Sequence, residues 1–137
     1  MAECVCTVDL KTIRHAGNYL GDDWTYTITV NGESREIEGN GGDQSFDPPM
    51  RWTVTGGDCG GNVTVTIAVK ALEDDLFFDD EGSAIKHITV SCPPEGADPA
   101  RLTNEAVRAR VVEAIGWFSG GTNFVDSVFD LEFRCAG

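Results

Sequence analysis

The chain has 137 residues and a formal charge of −13, with 23 acidic side chains against ten basic ones. That length suits one domain, residues 1–137, with enough chain to bury a core, and no uninterrupted apolar run approaches the roughly 20 residues that a membrane-spanning helix needs. The ten Lys and Arg residues form no long basic stripe along the sequence, so repulsion of phosphate argues against nucleic acid as a partner.

Residues 1–4, Met-Ala-Glu-Cys, lead almost directly into a strand pattern, without the charged and apolar regions of a signal peptide. As written the chain is not exported, although removal of a leader would leave the same start and make secretion compatible. The five cysteines are an odd number, so at least one stays unpaired within a monomer. Cys4, Cys6 and Cys135 each fall on the apolar side of a strand and read as buried free thiols, with room for one bridge.

From Cys4 to Ile13 the set Cys4, Cys6, Val8 and Leu10 alternates with a mostly polar set, the period-2 signature of a half-buried strand. Residues 14–23 read as a loop, because Gly17, Asn18, Gly21, Asp22 and Asp23 break strands. Trp24, Tyr26, Ile28 and Val30 then oppose Thr25, Thr27, Thr29 and Asn31, and Asn31-Gly32 supplies a hairpin turn into a polar third strand over 33–38. Residues 39–49, with glycines and Pro48-Pro49, are expected to be a loop outside any ladder. Met50, Trp52 and Val54 mark a short fourth strand. Val63, Val65, Ile67, Val69 and Ala71 line one face of a fifth, which runs straight into the stretch Glu73 to Gly82.

That stretch carries six acidic residues among its first nine: Glu73, Asp74, Asp75, Asp79, Asp80 and Glu81. Carboxylates this dense repel one another unless they splay into water or share a cation, and Ca2+ accepts many oxygens in flexible geometry. Ala84 to Cys92 reads as a sixth strand, ended by Pro93-Pro94. Residues 99–115 fit either a short helix, with Asp98-Pro99 as its cap and first residue, or a strand in which Val107, Ala109 and Val111 oppose Arg108 and Arg110. Residues 116–123 read as a loop, and Val125, Phe129, Leu131, Phe133 and Cys135 mark a final strand.

The expected fold class is therefore all-β, an antiparallel eight-stranded β-sandwich. If successive strands alternate in direction, the connections at 14–23, 39–49, 73–83 and 116–123 emerge at one end. The acidic loops then converge.

The order of these loops and strands resembles the C2 domain family, in its permuted, type II form. Residues 21–26, Gly-Asp-Asp-Trp-Thr-Tyr, look like the entry to the strand after that family's first loop. Residues 69–75, Val-Lys-Ala-Leu-Glu-Asp-Asp, followed by Asp79-Asp80-Glu81-Gly82, look like its third loop. The resemblance implies that Asp22, Asp23, Glu73, Asp74, Asp75, Asp79 and Asp80 bind Ca2+. Glu73 stands where the family usually has Asp, and Asn18 stands near where a further Asp is expected. An EF-hand is excluded, because its loop spacing and flanking helices are not met around Asp74.

Leu76, Phe77 and Phe78 lie at the centre of the acidic loop. They either fold back on the core or form a tip for a membrane surface or other partner, with Tyr19 or Trp117 assisting. Catalysis has little support, since nucleophile-elbow, phosphate-loop and metalloprotease motifs are missing and His15 and His87 are the only general-base candidates near neutral pH. Asn62-Val63-Thr64 matches a glycosylation sequon, yet it falls in a strand and reads as chance. The expected function is a non-enzymatic, calcium-binding C2-like module. The alternative is a metal-independent module whose acidic loop is merely solvated and whose partner is a protein or carbohydrate.

Overall fold

A computed structural model describes residues 2–18, 20–74, 79–115 and 118–136, apart from the side chains of 114, 115 and 118–120. In chain order the strands are β1 (Glu3–Gly17), β2 (Trp24–Val30), β3 (Glu33–Gly39), β4 (Gln44–Asp58), β5 (Asn62–Glu73), β6 (Asp80–Ser91), β7 (Ala100–Ile115) and β8 (Phe118–Ala136). They form two four-stranded sheets, ordered β4-β1-β8-β7 and β3-β2-β5-β6, and all recorded pairings are antiparallel. The described residues contain no helix.

The inner faces follow the alternation of the sequence. Trp24, Tyr26, Ile28 and Val30 of β2 and Val65, Ile67, Val69 and Ala71 of β5 are buried against Cys6, Val8 and Leu10 of β1 and Phe129, Leu131 and Phe133 of β8. Such a two-layer core of interdigitating inner faces is how paired sheets remove apolar surface from water. On the side where β4 meets the second sheet, Trp52 Nε1–H donates to the Glu33 carbonyl at 3.2 Å and the Arg35 guanidinium lies 4.7 Å over the Trp52 ring. On the other side, β6 comes close to the backbone of β7 at Gly82, where a Cβ would overlap the Arg110 carbonyl.

β1 runs on through residues 14–17 and β8 begins at Phe118, so neither 14–23 nor 116–123 is wholly a loop, and three further expectations are corrected. The alternative of a helix around 99–115 gives way to β7, because Val107, Ala109 and Val111 pair with β8 and bury completely or nearly so. A helix carrying the stripe of Val107, Val111 and Ile115 would have turned Ala109, which is fully buried, away from the core. The stretch 39–49 is not wholly a loop, since β4 starts at Gln44. Ile13 pairs with Gln44, Thr12 with Ser45 and Leu10 with Met50, so Pro48-Pro49 occupies a register shift outside the ladder, on a sheet-edge strand that tolerates missing donors. The Asp47–Pro48 peptide there is cis.

The third correction concerns the cysteines. Cys4 bonds Cys92 and Cys59 bonds Cys135, leaving only Cys6 as a free, buried thiol. Cys4 and Cys135 are register partners on β1 and β8, yet each bonds elsewhere. Which sulfurs meet depends on how strand ends and turns far apart in sequence come together, Cys92 against β1 and the turn at Cys59 against β8, and sequence spacing does not encode that.

Candidate functional site

Alternating strand direction brings the strand ends Gly17 and Trp24, Gly39 and Gln44, Glu73 and Asp80, and Ile115 and Phe118 to one end, as the strand count implied. One row of the second sheet closes that end: Gly39, Trp24, Glu73 and Asp80 are successive register partners. The Asp74 N–H donates to the Asp23 carbonyl at 2.8 Å, tying the acidic loop to the first connection.

The expected ligand residues divide in two directions. Glu73 and Asp80 turn inward and are 3% and 2% exposed, whereas Asp22, Asp23, Asp74 and Asp79 are exposed. Glu73 fits because Gly21 lies against it; a Cβ at Gly21 would overlap the Glu73 carboxylate. Asp75, Leu76, Phe77 and Phe78 lie outside the described residues, as do Tyr19 and Trp117. Among the described residues, no three His, Cys, Asp or Glu side chains group so as to hold a metal ion. The described acids therefore do not by themselves make the Ca2+ cage that the sequence led us to expect.

Beneath the same end lies a polar cluster that sequence reasoning missed. A register shift between Leu10 and Thr12 reverses the alternation of β1. Ile13 and His15 consequently face inward, although the apolar set read from Cys4 ends at Leu10 and the sequence pattern places His15 in a loop. Asn123 Nδ2 donates to the Asn18 carbonyl at 2.7 Å, which leaves Oδ1 facing His15 Nδ1 at 2.8 Å. His15 Nδ1 must then carry the proton, and Nε2 accepts from the Tyr26 hydroxyl at 2.5 Å. This bond joins β1 of one sheet to β2 of the other.

The Trp24 ring meets the imidazole edge-on at 4.7 Å, and its Nε1–H donates to the Gly21 carbonyl at 2.9 Å. The Asp43 carboxylate accepts the His15 backbone N–H at 3.0 Å, so the second connection is fastened to the cluster too. Burial lowers the His15 pKa below the usual histidine value, opposed in part by the Asn123 bond and the charge of Asp43. Burial likewise raises the Tyr26 pKa. A neutral imidazole held on both nitrogens is a brace between sheets.

The outer face of the first sheet holds a second feature. The sequence shows no basic stripe, but the fold places Lys11, Arg14 and Arg51 of β1 and β4 beside Arg101, Arg108, Arg110 and Arg134 of β7 and β8. Seven of the ten cations thus share one face of a chain whose net charge is −13. Acids lie between them. Arg51 holds Asp9 through two bonds of 2.7 and 2.9 Å, Arg108 holds Asp126 at 2.7 and 2.8 Å, Arg101 meets Glu132 at 3.0 Å and Lys11 meets Asp130 at 3.3 Å.

Arg14, Arg110 and Arg134 are exposed and have no ion-pair partner among the described residues. Arg51, Arg101 and Arg134 border a groove of about 310 Å³ together with Thr7, Asp9 and Glu132. Further along β8, Phe124 lies under the Arg108 guanidinium at 4.8 Å and opposite Arg110.

No family model matches the chain, and no curated protein matches it.

Proposed function

We propose that this protein is a non-catalytic, C2-like β-sandwich interaction module, braced by disulfides for an oxidising compartment. The observation that carries the reading is the filling of the space between the sheets by the core, with the grooves formed by the described residues lying on outer faces and loop ends. Enzymes of small molecules use enclosed clefts with a few convergent polar groups. Here His15 is engaged on both ring nitrogens, and exposed His87 shares its Nδ1 with the Thr66 hydroxyl at 2.9 Å. The eight antiparallel strands in two sheets of four, and the loops gathered at one end, support the C2-like comparison.

Two bridges support the compartment, because disulfides persist in oxidising surroundings and are rare where thiols are kept reduced. The test is a thiol count on protein expressed through an oxidising secretory route and denatured without reductant. One reactive thiol, that of Cys6, is expected. Five would overturn the compartment reading.

A second reading, Ca2+ at the acidic end, draws on the convergence of the loops and on the inward-facing, register-paired Glu73 and Asp80. Thermal unfolding in EDTA, in millimolar Ca2+ and in Mg2+ separates the two readings. A folded-state ligand at 100 times its dissociation constant adds about 2.7 kcal/mol. For a chain of this length that raises Tm by about 9 °C. A Ca2+-specific rise would establish the site, and equal Tm values would leave the metal-independent module. Pelleting with anionic liposomes, with and without Ca2+, tests the membrane role assigned to Leu76, Phe77 and Phe78; absence of Ca2+-dependent pelleting would refute it.

A further inference from the structure

We infer that the outer face of the β4-β1-β8-β7 sheet binds a linear polysaccharide carrying carboxylates at intervals, such as a polyuronate. This rests on the module reading above and names its partner. The cations follow β8 from Arg134, flanked by Arg101, to Phe124, flanked by Arg110. Ten residues at about 3.4 Å each make a track of roughly 34 Å. A single small anion would use only a fraction of it. The groove at Arg51, Arg101 and Arg134 gives the track a seat, and the ring of Phe124 gives it an apolar step at the far end.

The pattern of charge selects among polyanions. Asp9, Asp126, Asp130 and Glu132 lie between the cations and are held by them. A DNA strand presents a phosphate at every nucleotide and no sugar hydroxyl between them, so its backbone would meet these carboxylates with acceptors alone. A polymer whose charges are separated by hydroxyls would not. Its hydroxyls can donate to the same carboxylates and share hydrogen bonds with Thr7, while its own carboxylates reach the exposed guanidinium groups that have no ion-pair partner, those of Arg14, Arg110 and Arg134. The bridges place such a module in the oxidising surroundings where secreted and surface proteins work.

The experiment is affinity electrophoresis of the intact chain through gels containing polygalacturonate, neutral dextran, polyglutamate or a thymidine oligonucleotide, each at low and at physiological salt. Arg134→Ala and Arg110→Ala are the variants of choice, because neither breaks one of the fold's ion pairs; circular dichroism and Tm check that both remain folded. The expected result is retardation by polygalacturonate beyond that by the other three polymers, weakened by salt and reduced about fivefold by each substitution. No retardation by polygalacturonate, equal retardation by dextran, or retardation unchanged in both variants would overturn the proposal. Stronger binding of polyglutamate or the oligonucleotide, lost in the variants, would also overturn it while leaving the module reading intact. Cleavage of polygalacturonate would instead overturn the non-catalytic reading on which it rests.

Discussion

Replacing Tyr26 by Phe removes one oxygen and leaves the ring in the core. The hydroxyl it removes supplies the bond to His15 Nε2, which joins the two sheets. The neutral imidazole then keeps an acceptor nitrogen in a site where Trp24 and the sheet interior limit access to water. Leaving a buried acceptor unpaired costs about 1–3 kcal/mol. Unfolding entropy near Tm is about 2.1 cal/mol/K per residue, or about 0.3 kcal/mol/K for 137 residues.

The expected fall in Tm is therefore about 3–10 °C, read by calorimetry at pH 8, where His15 is neutral. A double-mutant cycle with His15→Phe should show coupling of about 1 kcal/mol, since each single change removes the same bond. A fall of less than 1 °C, or additive effects within error, would refute the brace. Thr27→Val on the outer face of the same strand is the control, and its Tm should move little.

His15 also predicts a pH dependence. Its folded pKa lies below the unfolded value, so the unfolded chain binds the proton first as pH falls. The contribution is full above about pH 6.5 and is lost as pH drops through the folded pKa. Urea midpoints should accordingly decline between pH 7 and pH 5 in the native chain and decline less in His15→Gln; parallel profiles would exclude His15 as the cause. Removing the longer-range staple with Cys4→Ser and Cys92→Ser, 88 residues apart, should cost about 2–4 kcal/mol in the midpoint of denaturation, although the entropic model allows somewhat more. Cys6 should resist thiol reagents in the folded protein, because burial and, to a lesser degree, Asp9 push its pKa to about 12; rapid native-state labelling would contradict this. Gly82→Ala should destabilise by about 1–3 kcal/mol, since β6 must withdraw from the Arg110 carbonyl of β7, and an unchanged Tm would show that this side of the sandwich yields freely.

The alternating residues of β2, β5 and the end of β8 wrote their own burial into the sequence, because a side chain on a strand has only two faces to choose from. Asn31-Gly32 fixed the β2–β3 hairpin, and the number of strands fixed which connections share an end. Local pattern could not decide residues 99–115, where helical and strand periods both fit; pairing with β8 did. Nor could it show the register shift in β1, which sends His15 inward to meet Tyr26 of the next strand and Asn123 from the far end of the chain. Disulfide choice and the gathering of seven cations on one face have the same origin. Arg51, Arg101 and Arg134 are dispersed in sequence, and only the lateral order β4-β1-β8-β7 makes them neighbours. Composition set the charge of this protein, but sheet order, a long-range property of the fold, decided where that charge would stand.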